Sequence, residues 1–381
     1  MLCYCLLCGT ICCVCLNGGS AVDYLPISSA LLMWYSTHFR SLPWRVEPSP
    51  YRVWISEIML QQTRIEAALP YFERFISALP SVEALAAVSE EQLLKLWEGL
   101  GYYSRARNLK KTAQILVSDY EGRLPADYDR LLALPGIGPY TAGAIASIAY
   151  GIPVPAVDGN VMRVLSRLTG DETDVLSTAG KKCFTDLAWE MVPEQNPGRF
   201  NQAVMELGER VCIPNGAPHC DSCPLSSYCV SYKTCRTEEL PVRAAKKARR
   251  IEKRCVAVIR IWSDEEQRYR LLLHKRGSAG LLAGLWELPN CLSNAVETPL
   301  PSFLSERGPS LEIGECKHIF SHVEWHMTGR LYTAAVADTL PRDYAAVTIE
   351  ELTTAYALPS AFRYYAGLLP QLLKEGELNH G

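Results

Sequence analysis

The chain lacks any excess of positive charge: 38 Lys and Arg stand against 41 Asp and Glu in 381 residues, a formal net charge of −3. No global field draws it to a polyanion, so contact with nucleic acid has to come from local patches. A long apolar run is missing too. Residues 1–20, MLCYCLLCGTICCVCLNGGS, are apolar, but the run is shorter than the roughly 20 residues of a spanning helix. It has no positively charged start either, so a secretory signal fits poorly and no membrane partner is expected. Cysteine is plentiful but not distributed as a disulfide framework. Of 15 cysteines, six fall in the first fifteen residues and four in one tight cluster near the middle. That distribution suits an intracellular enzyme whose cluster ligates metal better than a secreted disulfide scaffold. The length is sufficient for two domains, each with its own core.

The most informative stretch runs from Leu124 to Leu168, LPADYDRLLALPGIGPYTAGAIASIAYGIPVPAVDGNVMRVLSRL. In Leu134-Pro135-Gly136-Ile137-Gly138 an apolar helix is stopped by Pro and two glycines, and a second helix starts at once with Pro139, Tyr140 and Thr141. This is a helix-hairpin-helix pattern. Gly136 and Gly138 let the backbone approach a partner closely, and the second helix opens with unpaired N–H groups, so a phosphate is the natural guest. Ala142, Gly143, Ala144, Ala146 and Ala149 permit tight helix packing. Pro153-Val154-Pro155 then breaks the chain, and Val157-Asp158-Gly159-Asn160 opens a third helix with an Asp at its entry. Alone, such an Asp is usually an N-cap and nothing more. The order and spacing of the three parts together ask for a further explanation.

Upstream, Ala30 to Arg45 is helix-like and ends in Leu42-Pro43-Trp44-Arg45, and the segment from Tyr51 to Thr63, YRVWISEIMLQQT, predicts the next helix. Val53, Trp54, Ile55, Ile58 and Met59 cover most of its circumference, leaving Glu57, Gln61 and Arg64 on the remaining face. A Glu hemmed in by apolar neighbours resists ionising. Between Gly99 and Asn108 the chain mixes glycines, Tyr102, Tyr103 and arginines, a combination suited to backbone approach and base stacking; packing of both tyrosines in a core is the plainer reading.

Cys212, Cys220, Cys223 and Cys229 follow an apolar helix at gaps of seven, two and five residues. Four thiolates in so short a loop bind a tetrahedral metal or a cubane cluster, and spacing alone leaves zinc open. Arg243, Lys246, Lys247, Arg249, Arg250, Lys253 and Arg254 form a basic run at a domain boundary, most simply a solvated linker and secondarily a phosphate contact. Beyond it the period changes to strands, over 255–262 and again over 269–274. In HIFSHVEWHM, Ser321 and His322 interrupt the alternation and predict a turn.

These segments resemble the helix-hairpin-helix DNA glycosylase superfamily and, in detail, its adenine glycosylase branch, the MutY family; the resemblance runs from about Ser28 to about Leu369. It implies a multi-domain protein: an extension over 1–22, disordered or not made, an all-α helix-hairpin-helix glycosylase domain over 23–236 with an iron–sulfur loop at 212–229, a basic linker over 237–252, and an α+β Nudix-like (MutT-like) domain over 253–373. Glu57 would be the general acid and Asp158 the stabiliser or nucleophile, with Tyr140 and Asn160 positioning Asp158 and the sugar. At the position of Tyr140, bifunctional relatives such as endonuclease III carry a Lys that attacks the sugar, so a monofunctional hydrolase is expected. Gln61, Gln62, Tyr102, Gly136 and Gly138 would meet DNA, with Tyr102 intercalating, and Phe320, Ser321 and His322 would sense 8-oxoguanine. Cys212, Cys220, Cys223 and Cys229 would hold a [4Fe–4S] cluster, although the first gap is one residue longer than the family's. Gly280 to Pro289 resembles the Nudix-like segment, yet 290–307 has only Glu297 and Glu306 where a Nudix hydrolase needs a Glu-rich helix, so this domain reads as a binding module. The implied partner is duplex DNA with adenine opposite 8-oxoguanine or guanine, bound by a monomer inside the cell, in the cytoplasm. Two other readings stand beside it. An endonuclease III-like lyase is opposed by Tyr140 and by the second domain, and a non-catalytic damage-binding protein is opposed by the two carboxylates.

Overall fold

The computed structural model describes residues 23–244, 248–293, 299–336 and 339–374; the extension 1–22, Lys246, Lys247 and Glu297 lie outside them. Helices come first in the chain: α1 Leu25–His38, α2 Pro43–Val46, α3 Pro50–Leu60, α4 Ile65–Ala78, α5 Val82–Ala87, α6 Glu90–Leu96, α7 Ser104–Asp119, α8 Tyr128–Leu132, α9 Pro139–Tyr150, α10 Gly159–Thr169, α11 Thr178–Met191, α12 Pro197–Arg210 and α13 Val230–Lys233. Strands follow: β1 Arg250–Ser263, β2 Arg268–Lys275, β3 Trp286–Glu287, β4 Asn290–Leu292, β5 Leu304–Glu306, β6 Leu311–Ile319, β7 Val323–Val336 and β8 Tyr344–Val347, closed by α14 Ile349–Thr354 and α15 Arg363–Leu372. The described residues form two compact units, one drawn from 23–86 with 108–244, the other from 87–107 with 248–374.

The first unit is helical. Leu31 and Tyr35 of α1, Val164 and Leu165 of α10, Phe184 of α11, and Phe200, Val204 and Leu207 of α12 form one buried cluster. Small residues set how close the helices come. A Cβ on Gly143 of α9 would lie 2.1 Å from the Pro155 carbonyl oxygen, and one on Gly198 of α12 would lie 2.5 Å from that of Ser147. Asn201 of α12 completes this crossing: its amide donates to Ser147 Oγ at 2.8 Å and the Val154 carbonyl at 2.9 Å, and its oxygen accepts from Ala156 N–H at 3.1 Å. The Pro-broken segment before Asp158 is thereby fixed in place.

The helix expected from Tyr51 to Thr63 is shorter in the structure. Helix α3 begins with Ser49 as cap and Pro50 in its first turn but stops at Leu60; Gln61 is non-helical and Gln62 is left-handed at φ 60°. Arg64 caps α4. Gln61 and Arg64 therefore do not share a helical face with Glu57, because the chain has to turn between α3 and α4 and does so within Gln61-Gln62-Thr63.

In the second unit β1 is central. It pairs with β7 in parallel and with β2 and β4 antiparallel, β6 and β5 add to β7, and β3 and β8 add to β2. Val256, Ala257, Val258 and Ile259 are all buried, since both faces of the sheet are covered. Val256, Val258, Trp325 and Met327 pack against Phe362, Tyr365 and Leu369 on one face, and Ala257, Ile259 and Tyr332 lie on the other. Strand β1 starts at Arg250, so Arg250, Ile251 and Glu252 pair with Val323–Trp325 where composition suggested linker.

Candidate active site and nucleic-acid interface

Glu57 lies on α3 among Val53, Trp54, Ile58 and Met59 and is itself only 5% exposed. Its Oε2 accepts a 2.6 Å hydrogen bond from the Tyr140 hydroxyl, in the first turn of α9. Burial pushes the Glu57 carboxyl up to about 7, against the opposing pull of the Tyr140 hydroxyl and the Arg45 guanidinium. Burial, then the neighbouring carboxylates of Glu57 and Asp158, hold the Tyr140 phenol well above its ordinary range, so it stays a donor. Tyr140 was expected to position Asp158 and the sugar; its hydroxyl bond goes to Glu57.

Asp158 is the N-cap of α10. Its Oδ1 accepts from the backbone N–H groups of Asn160 at 2.9 Å and Val161 at 2.8 Å, and its Oδ2 accepts from Asn160 Nδ2 at 2.9 Å. Arg163 donates to Asn160 Oδ1 at 2.9 Å and so fixes which way that amide points. Burial raises the Asp158 carboxyl above its usual range, with these donors pulling the other way. Glu57, Tyr140, Asp158 and Asn160 line one cavity of about 120 Å³, together with Arg45, Gln202 and Met205. The structure thus brings together all four residues singled out as catalytic.

Sequence reasoning missed a second buried carboxylate beside them. Glu206 of α12 accepts from Arg40 Nε at 2.7 Å, Arg40 Nη2 at 3.0 Å and Arg45 Nη1 at 2.7 Å. Burial raises its carboxyl, but the two guanidinium groups outweigh burial and leave it below the usual range. This pairing holds Arg45 at the cavity wall next to Glu57. The signal was present: Glu206 sits between Ala203, Val204 and Leu207 as Glu57 does among its neighbours.

The residues singled out for DNA contact divide between the units. In the first, Gln61 Nε2 lies 3.5 Å from Thr141 Oγ1 at the start of α9, and Gln62 follows it. Gly136 needs its glycine internally, with φ +78° and a Cβ that would lie 2.6 Å from Asn108 Cβ. Gly138 caps α9 at φ −91° with nothing near its missing Cβ, so no internal contact explains that glycine. In the second unit Tyr102, Phe320, Ser321 and His322 line one cavity of about 520 Å³ with Arg107 and Leu281. Phe320-Ser321-His322 joins β6 to β7, with Phe320 edge-on to His318 and Trp325 and Ser321 Oγ 3.2 Å from His322 Nδ1. Tyr103, by contrast, is buried.

Cys212, Cys220, Cys223 and Cys229 line one cavity of about 30 Å³ in the first unit. Arg167 Nη1 lies 3.3 Å from Cys212 Sγ. Backbone N–H groups face two of the sulfurs, that of Leu225 toward Cys223 and those of Tyr232 and Ser231 toward Cys229, the donors that stabilise coordinating thiolates. A single tetrahedral zinc needs four sulfurs within about 4 Å of one another. Among the described residues no three His, Cys, Asp or Glu side chains converge so as to hold one ion. The four cysteines around one cavity are the residues that could hold a metal centre. In the second unit the described residues of 290–307 hold no helix, and buried Glu287 is occupied by Arg276 Nη1 at 2.7 Å and Asn290 Nδ2 at 2.8 Å. No helix among the described residues is long and apolar enough to cross a membrane.

Comparison with known proteins bears on this arrangement. A family model described as HhH-GPD superfamily base excision DNA repair protein matches residues 55–193, and one described as NUDIX domain matches 257–366. The chain is 36% identical over 350 residues to an adenine DNA glycosylase of Arabidopsis thaliana, covering 78% of this chain and 55% of that protein, so it spans about half the length of that relative. It is 33% identical over 417 residues to the adenine DNA glycosylase of Mus musculus, covering 90% of this chain and 78% of the relative. Among solved structures, a thermostable thymine-DNA glycosylase aligns with a TM-score of 0.50 and 28% identity over 55% of this chain and 96% of its own. With a relative aligned over most of both chains, the chain belongs to the adenine DNA glycosylase family.

Proposed function

We propose that the protein excises adenine mispaired with 8-oxoguanine or guanine in duplex DNA, hydrolysing the N-glycosidic bond without lyase chemistry, as a step of base excision repair. The observation that carries this reading is the pair of carboxylates on one cavity, one buried and held up to about 7 and the other capping a helix N-terminus. Adenine is a poor leaving group, so its departure needs a proton on the base and stabilisation of an oxocarbenium-like sugar. Glu57 donates that proton as the bond from base to sugar breaks. Asp158, an anion favoured by the first N–H groups of α10, stabilises the sugar cation until water adds. Tyr140 orients Glu57 and Asn160 orients Asp158. Tyr140 carries a phenol and not an amine, so it cannot form a Schiff base. The target base has to leave the stack before Glu57 can reach it; Gln61 and Gln62 enter the stack beside it, and Tyr102 intercalates. Gly136 and Gly138 bring the backbone to a phosphate, while Phe320, Ser321 and His322 read the partner base.

Cys212, Cys220, Cys223 and Cys229 would hold a [4Fe–4S] cluster, whose role when bound is to brace the loop, since hydrolysis needs no redox change. The second unit acts as a binding module and the protein acts as a monomer. Single-turnover base release from duplexes carrying adenine opposite 8-oxoguanine, guanine or thymine tests the activity. Release from the first two, with no borohydride-trapped adduct, is expected. Trapped adducts would establish an endonuclease III-like lyase instead, and binding without release would establish a damage-binding protein.

A further inference from the structure

Arg105, in the first turn of α7, is 8% exposed, although a guanidinium is among the costliest groups to remove from water. It follows a bend in which Gly99, Gly101 and Tyr102 all have positive φ, at 99°, 71° and 47°. The glycines adopt that conformation freely. A tyrosine does so only where its surroundings over-determine it. Arg105 supplies much of that determination: Nη2 donates to the carbonyls of Leu100 at 3.0 Å and Gly101 at 3.1 Å, the two residues before Tyr102. Its guanidinium also lies 5.3 Å from the centroid of the Trp97 ring and 5.5 Å from that of Tyr102, within reach of a cation–π interaction with both. Trp97 Nε1 adds a 3.1 Å bond to the Gly101 carbonyl. Burial holds Arg105 down to about 10, so it is still a cation near neutrality. Tyr102 nevertheless remains 46% exposed, at the cavity it shares with Phe320, Ser321 and His322.

We infer that Arg105 is a positioning residue for DNA opening: it locks the 99–103 bend so that Tyr102 is presented to the base stack already ordered. The inference rests on the reading of Tyr102 as the aromatic that enters DNA. A wedge ordered before contact spends less binding energy on its own immobilisation. Lysine is a poor replacement: an ammonium can reach two carbonyls, but it lacks the flat, delocalised guanidinium that here donates to both while lying over the Trp97 and Tyr102 rings.

The test uses the full chain and a duplex with adenine opposite 8-oxoguanine, and with 2-aminopurine beside the 8-oxoguanine in the same strand. Binding of the unsubstituted protein raises 2-aminopurine fluorescence as that neighbour unstacks. Arg105→Lys is expected to lose most of the rise, as Tyr102→Ala does. Each is expected to slow adenine release at sub-saturating enzyme by ~10- to 100-fold, the scale of a misplaced group, and by much less at saturation. In the double variant the losses should not add, because both substitutions remove one device. A mere bracing role for Arg105 would lower the melting temperature without this coupling. If Arg105→Lys does not fold, Trp97→Phe, which removes the indole bond to Gly101, makes the same comparison. Full unstacking by Arg105→Lys, or by Trp97→Phe where that stands in, overturns the inference while leaving Tyr102 as the wedge, as do fully additive losses. A Tyr102→Ala protein that keeps the fluorescence rise overturns the wedge itself and the inference with it.

Discussion

In the proposed mechanism the group that protonates the leaving base has to hold a proton near neutral pH, and burial raises the Glu57 carboxyl to about 7. Adenine release is therefore expected to fall as pH rises through about 7, where that proton is lost. Glu57→Gln should abolish release, by more than the ~10²-fold lower end for general acid catalysis, and leave duplex binding largely intact; near-normal single-turnover release would exclude the role. The same group makes stability depend on pH. Its carboxyl is raised from 4.5 to about 7, so between those values the folded state binds more protons than the unfolded one and stability falls as pH rises, levelling off above about 7. The cost at pH 8 is at most about 3 kcal/mol. Glu57→Gln, which carries no charge to bury, should consequently melt above the unsubstituted protein at pH 8 and beside it at pH 4.5, and parallel melting curves at the two pH values would argue against a buried proton. Glu57 and Asp158 were both legible in sequence, one as the polar position of an apolar helix and the other at a helix entry. Arg40 and Arg45 were not, because they meet Glu206 from 166 and 161 residues away and no local pattern encodes so distant a pairing.

Helix ends decide more here than helix bodies. The periodic part of α3 was readable, but its stop at Leu60 depends on a left-handed Gln62, a conformation that glycine would have advertised and glutamine does not. At the hairpin the two glycines announce themselves equally in sequence and differ in the structure. Gly136→Ala has to place a Cβ at φ +78° and against Asn108, and should destabilise the fold by about 1–2 kcal/mol or more. Gly138→Ala meets nothing within the protein, so stability should hold within roughly 0.5 kcal/mol while affinity for duplex falls, if a phosphate approaches there. Chemical denaturation and duplex titration of the two variants separate these effects; equal affinity for duplex in Gly138→Ala would remove the phosphate reading. Helix α10 links two further parts of the unit. Its cap is Asp158, Arg163 follows and donates to Asn160 Oδ1 and, through Nε, to the Cys212 carbonyl at 2.8 Å, and Arg167 reaches Cys212 Sγ. Anaerobically prepared protein is expected to contain about four irons, by the ligand count of a cubane cluster, and Cys223→Ala to lose them; stoichiometric zinc without iron would sink the assignment.

Chain order and spatial order part company in the whole molecule. Composition places 87–107 among the helices, yet this segment belongs to the second compact unit. Lys95 Nζ donates to the carbonyls of Leu352 and Tyr356, both at 3.0 Å, and Glu98 Oε1 accepts from Leu358 N–H at 2.7 Å. Sequence periodicity reports which residues form a helix and not which core that helix joins, so the strand-rich half was legible as a domain while its borrowed helix was not. The proposed function accordingly divides its labour between the units. Both carboxylates stand in the first unit, whereas Tyr102 and the Phe320-Ser321-His322 loop share a cavity in the second. An oxidised guanine differs from guanine by one carbonyl and one N–H, and the exposed Ser321 hydroxyl and His322 ring offer groups that can hydrogen-bond to either. A contact of that kind is worth roughly 1–3 kcal/mol, the usual cost of a mismatched readout. Replacing Ser321 and His322 together by Ala should therefore reduce the preference for adenine opposite 8-oxoguanine over adenine opposite guanine by about one to two orders of magnitude. Base release under saturating enzyme should survive, since Glu57 and Asp158 are untouched. Retention of the full preference would show that the loop does not read the partner base, and equal loss of single-turnover release from both duplexes would show that recognition and chemistry are not divided between the two units.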